Sequence, residues 1–220
     1  MIGEKFFHYA EFLLNLGRER LQTIHYSLDG EYRDEVISWK DNIMSTSGYG
    51  VDRFHCTTPE FGVVVKPLCK PVIHSTKLDR EYYSIPKMEG YGHINGKKYP
   101  ATAWFDHECS NVPYSETPQW DWVGLKLNCG INIMAYDSNI ERISDATIGE
   151  NTIQSDFILE GKHLSLNDLG MYLIMEPLKE EKVFDPRLGI KYSEQPFNVI
   201  AKGGVIGMGM RERTYKSEVT

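Results

Sequence analysis

The sequence predicts an all-β protein, an antiparallel sandwich or barrel. Short runs rich in Val, Ile, Tyr, Phe and Trp recur along the chain, bounded by Gly, Pro, Asn and Asp. Within them apolar and polar residues alternate with the two-residue period of a strand that buries one face. Helix signals are sparse: the only helix-like piece is a weak turn near Leu166–Leu169.

In chain order, Phe6 to Leu16 carries apolar residues at spacings that fit a helix, with the aromatic content of a strand. Gly17 ends it, and Leu21–Tyr26 alternates as a strand closed by Asp29-Gly30, so residues 6–28 read as a hairpin. Glu35–Met44 is a strand carrying Trp39, and Val51–Thr57 and Phe61–Val65 are two more. Pro67 and Pro71 keep Lys66–His74 extended, because each proline disfavours helical geometry in the residue before it. Glu81–Pro86 is extended again, and Met88–Ile94 meets Lys98–Trp104 across Asn95-Gly96, a strong short-hairpin signal. Gln154–Leu159, Met171–Glu176, Phe197–Lys202 and Val205–Tyr215 complete the strands. The glycine-rich 203–210 segment lacks a following helix, so it is no phosphate loop. Its glycines suggest a bulge or a tight bend at a barrel corner. Met208, Met210 and Glu212 share one face there, which sets a carboxylate beside soft apolar side chains, with an arginine ion pair as the plain alternative.

Composition excludes several classes. The chain has 220 residues, 41% hydrophobic and 25% charged, an ordinary globular balance with enough length for a substantial core. Its net charge of −7 lacks the basic face that nucleic acid requires. No apolar run reaches the ~18 residues of a membrane span. The N-terminus does not read as a signal peptide, so a cytoplasmic location is expected. Cys56, Cys69, Cys109 and Cys129 form no CxxC pair and read as free thiols. The seven histidines show neither HxH nor HExxH, so no metal site is expected.

Residues 103–137 concentrate the chemistry: three of the four tryptophans and an Asp106-His107-Glu108 cluster. Trp120–Leu127 and Ile131–Asp137 read as a hairpin with a three-residue loop, Asn128-Cys129-Gly130, and Gly130 left-handed. That loop pairs Leu127 with Ile131, Leu125 with Ile133 and Val123 with Ala135, whereas a two-residue loop would set Lys126 against Ile133. One step further along the same face, Asp121 meets Asp137. Two opposed carboxylates at the end of an apolar face can hold one proton and present an acid with a base. The plainer alternative is that each aspartate caps a turn or meets a Lys or Arg. Trp104, Asp106 and Glu108 point to one side of their strand, and His107, a candidate proton-transfer group, to the other. Trp104, Trp120, Trp122 and Tyr136 form an aromatic concentration that could be core or could line an apolar ligand cavity.

Several of these motifs follow one another in a familiar order: Tyr82-Tyr-Ser-Ile-Pro86, Gly90-Tyr-Gly-His-Ile-Asn-Gly96, Ala103-Trp-Phe-Asp-His-Glu108, Trp120-Asp-Trp122, Met134-Ala-Tyr136 and Gly207-Met-Gly-Met-Arg-Glu212. This order resembles the lipocalin-like AttH and carotenoid hydratase family over roughly residues 35–215. The resemblance implies two consecutive lipocalin-like antiparallel β-barrels, the first incomplete, over residues 1–87 and 88–220. It implies addition of water to an isolated isoprenoid double bond without any cofactor. Relatives of that family cyclise terpenoids or act as Diels–Alderases. Asp106, His107, Asp121 and Asp137 are the expected catalytic groups. Trp104, Trp120, Trp122, Tyr136, Glu108 and Glu212 are the expected substrate-binding groups. The family often has Trp where this chain has Cys109, and its first domain is longer, which leaves room for a homodimer to complete the pocket. The expected partner is a hydrophobic small molecule, with binding without turnover as a further alternative. A hydrolase is the weakest reading, because no Ser or Cys nucleophile motif is present.

Overall fold

A computed structural model describes residues 8–16, 19–28, 31–38, 54–57, 61–74, 80–94, 97–110, 119–184 and 190–216. Every regular element among them is a strand. The strands are β1 His8–Leu16, β2 Glu19–Leu28, β3 Glu31–Ser38, β4 Phe54–Thr57, β5 Phe61–Pro67 and β6 Val72–His74. They continue with β7 Arg80–Ile94, β8 Lys97–Ser110, β9 Trp120–Leu127, β10 Ile131–Ser138, β11 Arg142–Ile148 and β12 Asn151–Gln154. The last are β13 Phe157–Glu160, β14 His163–Leu166, β15 Met171–Pro177, β16 Lys182–Phe184, β17 Ile190–Ala201 and β18 Gly204–Lys216. The 6–28 hairpin forms, with Leu14 opposite Leu21. Residues 167–170 make a turn rather than a helix. Trp39 and the Asn95-Gly96 turn lie outside the described residues, although β7 and β8 on either side of that turn pair.

The chain divides into two compact units. One comprises Met1–Pro71 with Ser84–Asp106, and the other Val72–Tyr83 with His107–Thr220. In the first, β1-β2-β3 form a small sheet, and β4 pairs β5, which pairs β7. The second is built on one antiparallel sheet in the order β12-β11-β10-β9-β18-β17-β15-β14-β13, with β16 also pairing β17. This nine-strand antiparallel path curls into a half-barrel.

Side-chain alternation explains the curl. Val123, Leu125, Ile133, Ala135 and Ala146 project from one end of the path, and Phe157, Leu164, Leu166, Leu173 and Met175 from the other, yet all pack in one buried core. Two ends of a sheet share a core only when the sheet wraps around it, so this face is concave. Two arginines fasten the wrap. Arg142 at the start of β11 donates to the Phe157 carbonyl at 3.1 Å and lies 4.7 Å from the Phe157 ring centroid. Arg211 on β18 donates to the carbonyl of Gly161 in the β13–β14 turn. Gly207 and Gly209 lie on the concave face of β18, where a side chain would collide with Leu127, Leu125 or Phe197. The expected irregularity falls in this segment: Val199 pairs Gly207 and Ile200 pairs Val205, which leaves Ile206 of β18 as the extra residue of a bulge.

The β9–β10 hairpin adopts the three-residue register. Leu125 pairs Ile133, Val123 pairs Ala135, and Asp121 pairs Asp137. Gly130 takes φ 86°, and its N–H closes the loop on the Leu127 carbonyl at 2.9 Å. A left-handed residue here is strained for any side chain with a Cβ, which is why glycine holds the position.

Candidate functional site

The convex face of the second unit's sheet is where the titratable and aromatic residues collect. Antiparallel partners project to the same side, so the register alone groups them. Trp122 stands between Tyr136 on β10 and Glu212 on β18, and Glu212 stands opposite Glu194 on β17. Tyr192 and Thr214 form the next pair, and Pro196 with Met210 the preceding one. Met134 on β10 pairs Asp145 on β11.

This face is largely buried. Tyr192 is 0% exposed and Glu194 2%, and Trp122, Met134, Tyr136, Asp145, Met210 and Thr214 are also buried. Residues of Val72–Tyr83, in the same unit, pack here. Trp122 Nε1 donates to the Tyr82 hydroxyl at 2.8 Å. His74 Nδ1 lies 3.3 Å from Asp145 Oδ2, and its ring stacks obliquely on Tyr82 with centroids 4.5 Å apart. Burial lowers the His74 pKa to about 4. The adjacent carboxylate would favour the imidazolium, but desolvation outweighs it, so His74 is neutral at pH 7 and its contact with Asp145 is not an ion pair.

An aromatic series leads across the face. Tyr82 and Tyr136 ring centroids are 6.4 Å apart, Tyr136 and Trp120 6.3 Å, and Trp120 and Tyr192 6.0 Å. At its end the Tyr192 hydroxyl donates to Glu194 Oε1 at 2.8 Å. Burial, then the charges of Glu194 and Glu212 and hydrogen bonds with both, raise the Tyr192 pKa well above that of a free phenol. Tyr192 therefore keeps its proton at every physiological pH.

The expected site residues separate into groups. Trp120, Trp122, Tyr136 and Glu212 come together on the convex face. Asp121 and Asp137 do face each other, as the register requires, but on the concave side and each beside an arginine. Arg211 grips Asp121 with two nitrogens, its Nε 2.7 Å from Oδ1. Arg142 Nε lies 3.1 Å from Asp137 Oδ1. The alternative of an arginine-met aspartate is thus the arrangement found for both. Trp104 and Asp106 belong to the first unit, where exposed Asp106 accepts a hydrogen bond from Ser84. His107 and Glu108 lie on β8, and their side chains fall outside the described residues.

His74, Tyr82, Asp145, Tyr192 and Glu194 were not singled out by sequence reasoning. A signal existed for two of them, since Tyr192-Ser193-Glu194 alternates as a strand should. Pro196 obscured it, because proline interrupts a strand ladder. Here the proline falls between Glu194, which pairs β16, and Phe197, which pairs β15, and its carbonyl still accepts from the Leu178 N–H at 3.0 Å. For His74 and Asp145 no local pattern marks the pairing.

No family model matches the chain, and no curated protein matches it. Among solved structures, a protein of unknown function from the DUF3598 family of Nostoc punctiforme aligns over 95% of this chain and 87% of its own, at 11% identity and a TM-score of 0.18.

Proposed function

We infer that the protein is a cofactor-independent acid–base enzyme acting on a hydrophobic substrate, a hydratase that adds water to an isolated isoprenoid-type double bond. The observation carrying this reading is the Tyr192–Glu194–Glu212 cluster, set among Trp120, Trp122 and Tyr136. A carboxyl proton would pass to one alkene carbon, forming a C–H bond and leaving the positive charge on the more substituted carbon. Aromatic faces stabilise such a cation by about 0.5–2 kcal/mol each. Water then forms the C–O bond and gives its proton to a carboxylate, which restores the acid. Nothing is oxidised or reduced in this sequence. Asp121 and Asp137 lie on the concave face, each against an arginine and away from the aromatic cluster, so the donor role falls to the glutamates.

Binding without turnover is a second reading, favoured by the near-complete burial of Tyr192 and Glu194. One experiment separates the possibilities: incubation with acyclic prenyl compounds and mass analysis of the products. A product heavier by one water, with turnover slowed about 10²–10⁴-fold in Glu212→Gln, is expected. Wild-type turnover in that variant removes Glu212 from the mechanism. An isomer of unchanged mass assigns a cyclase or pericyclase instead, and saturable binding without any product assigns a carrier.

A further inference from the structure

We propose that two copies of the chain join through the β12 edge, where Thr152 of each pairs with Gln154 of the other about a two-fold axis at Ile153. The inference is independent of the catalytic reading, since neither strand edge nor axis involves the glutamate and aromatic cluster.

The sheet path of the second unit ends on β12 at one side and on β13 at the other. An end strand carries main-chain N–H and C=O groups with no ladder partner, a template for pairing with another strand. The two ends differ. At β13 the carbonyls of Phe157 and Gly161 are taken by Arg142 and Arg211. At β12, Asn151 to Gln154 are all exposed, and among the described residues no hydrogen bond reaches the outer side. This strand carries neither charge nor proline nor bulge, so only its shortness protects it.

Turn geometry decides which groups face outward. Ile148 pairs Asn151 across the two-residue turn Gly149-Glu150, with Gly149 at φ 64° as a type II′ turn requires. Such a turn is closed by a hydrogen-bonded pair, so alternation makes Ala146–Ile153 the next one. The Ser155 N–H continues the series on the Ser144 carbonyl at 3.2 Å. Thr147 and Thr152 fall between as a non-hydrogen-bonded pair, which agrees with their hydroxyls lying 3.3 Å apart. The main-chain groups of Thr152 and Gln154 therefore point away from β11.

An antiparallel partner must offer outward groups two residues apart, and β12 itself does. A two-fold axis perpendicular to the sheet keeps like faces together, so Thr152 can meet Gln154 of the second copy and Gln154 its Thr152. Each such pair exchanges two main-chain hydrogen bonds. Ile153, on the concave side with Ala146 and 42% exposed, then faces its twin and is covered. Glu150 and Asp156 flank the strand and meet across the axis, which stops the ladder there and makes salt favour association. Four residues a side fall well below the ~20–30 of a stable complex, so the dimer is weak and concentration-dependent. With the β13 end plugged, assembly stops at two copies.

The test is sedimentation velocity of the full chain from micromolar to millimolar concentration, at low and high salt. A dimer that grows with both is expected. Thr152→Pro removes an outward N–H without touching the β11 ladder and should weaken the dimer about tenfold or more. Under mild oxidation Ile153→Cys should give a crosslink that the wild type does not form, because the opposed Cα atoms come to about 4.5 Å. Thr152→Cys should not, because in this register the two positions lie on a diagonal about 7–8 Å apart. A chain that stays monomeric at millimolar concentration overturns the proposal and leaves the edge to an extended segment of another protein. A dimer that crosslinks through Thr152→Cys and not Ile153→Cys overturns it too, as does one that forms neither crosslink.

Discussion

Burial of the His74 imidazole beside Asp145 and against the Tyr82 ring has a direct consequence for stability. The unfolded chain binds a proton at this histidine near pH 6.5, and the folded chain only near pH 4. Acidification through that interval therefore favours the unfolded state. The contribution is complete above pH 6.5 and is lost progressively as pH falls to 4, by up to about 3 kcal/mol. Urea unfolding at pH 7.5 and 4.5 should show this loss, and His74→Gln should flatten the part of the pH dependence due to this group. An unchanged slope in the variant would assign the acid sensitivity to carboxylates elsewhere. The Tyr192 hydroxyl, by contrast, does not titrate near neutrality and stays a donor to Glu194.

At the scale of the element, β9 shows how one glycine positions an aromatic ring. Trp122 and Gly124 lie on the same face of the strand, and the outer edge of the indole's six-membered ring occupies the space a Cβ on the glycine would take. That posture places Nε1 on the Tyr82 hydroxyl. Gly124→Ala must displace the ring, and overpacking of this kind costs about 1–3 kcal/mol. The expected outcome is a lower urea midpoint with a red-shifted tryptophan emission. Preserved emission would mean that the indole does not depend on the glycine. At the hairpin tip, Gly130→Ala should cost about 1–2 kcal/mol through backbone strain alone, without changing emission.

At the scale of the whole molecule, the second unit closes around its own core. Arg142 and Arg211 each join an aspartate at the strand ends to a carbonyl on the opposite side of the curl. Replacing both with Met should leave the strand ladder in place and loosen the wrap. Hydrogen exchange should accelerate in β13 and β14, with little change in β9 and β10. Uniform acceleration would mean that the apolar core alone sets the curvature. Among the described residues, no helix is long and apolar enough to cross a membrane.

Period and turn chemistry made much of this architecture legible in advance. Alternation identified the strands, and the left-handed requirement at Gly130 with the apolar match of Leu125 to Ile133 fixed the β9–β10 register. These are local properties, written within a few residues of one another. The chemistry of the site was not local. Alternation placed Glu212 beside Met210, but its partner Glu194 came into view only with the full length of β17. The opposed aspartates were readable, but their guanidinium partners depended on β18 lying beside β9 and on the sheet curling back to β13. His74 and Asp145 meet only because β6 reaches the convex face. Sequence determines which residues share a face, since that follows from backbone geometry. Tertiary structure decides which charges are neutralised and which are shut away from water, because those depend on segments far apart in the chain.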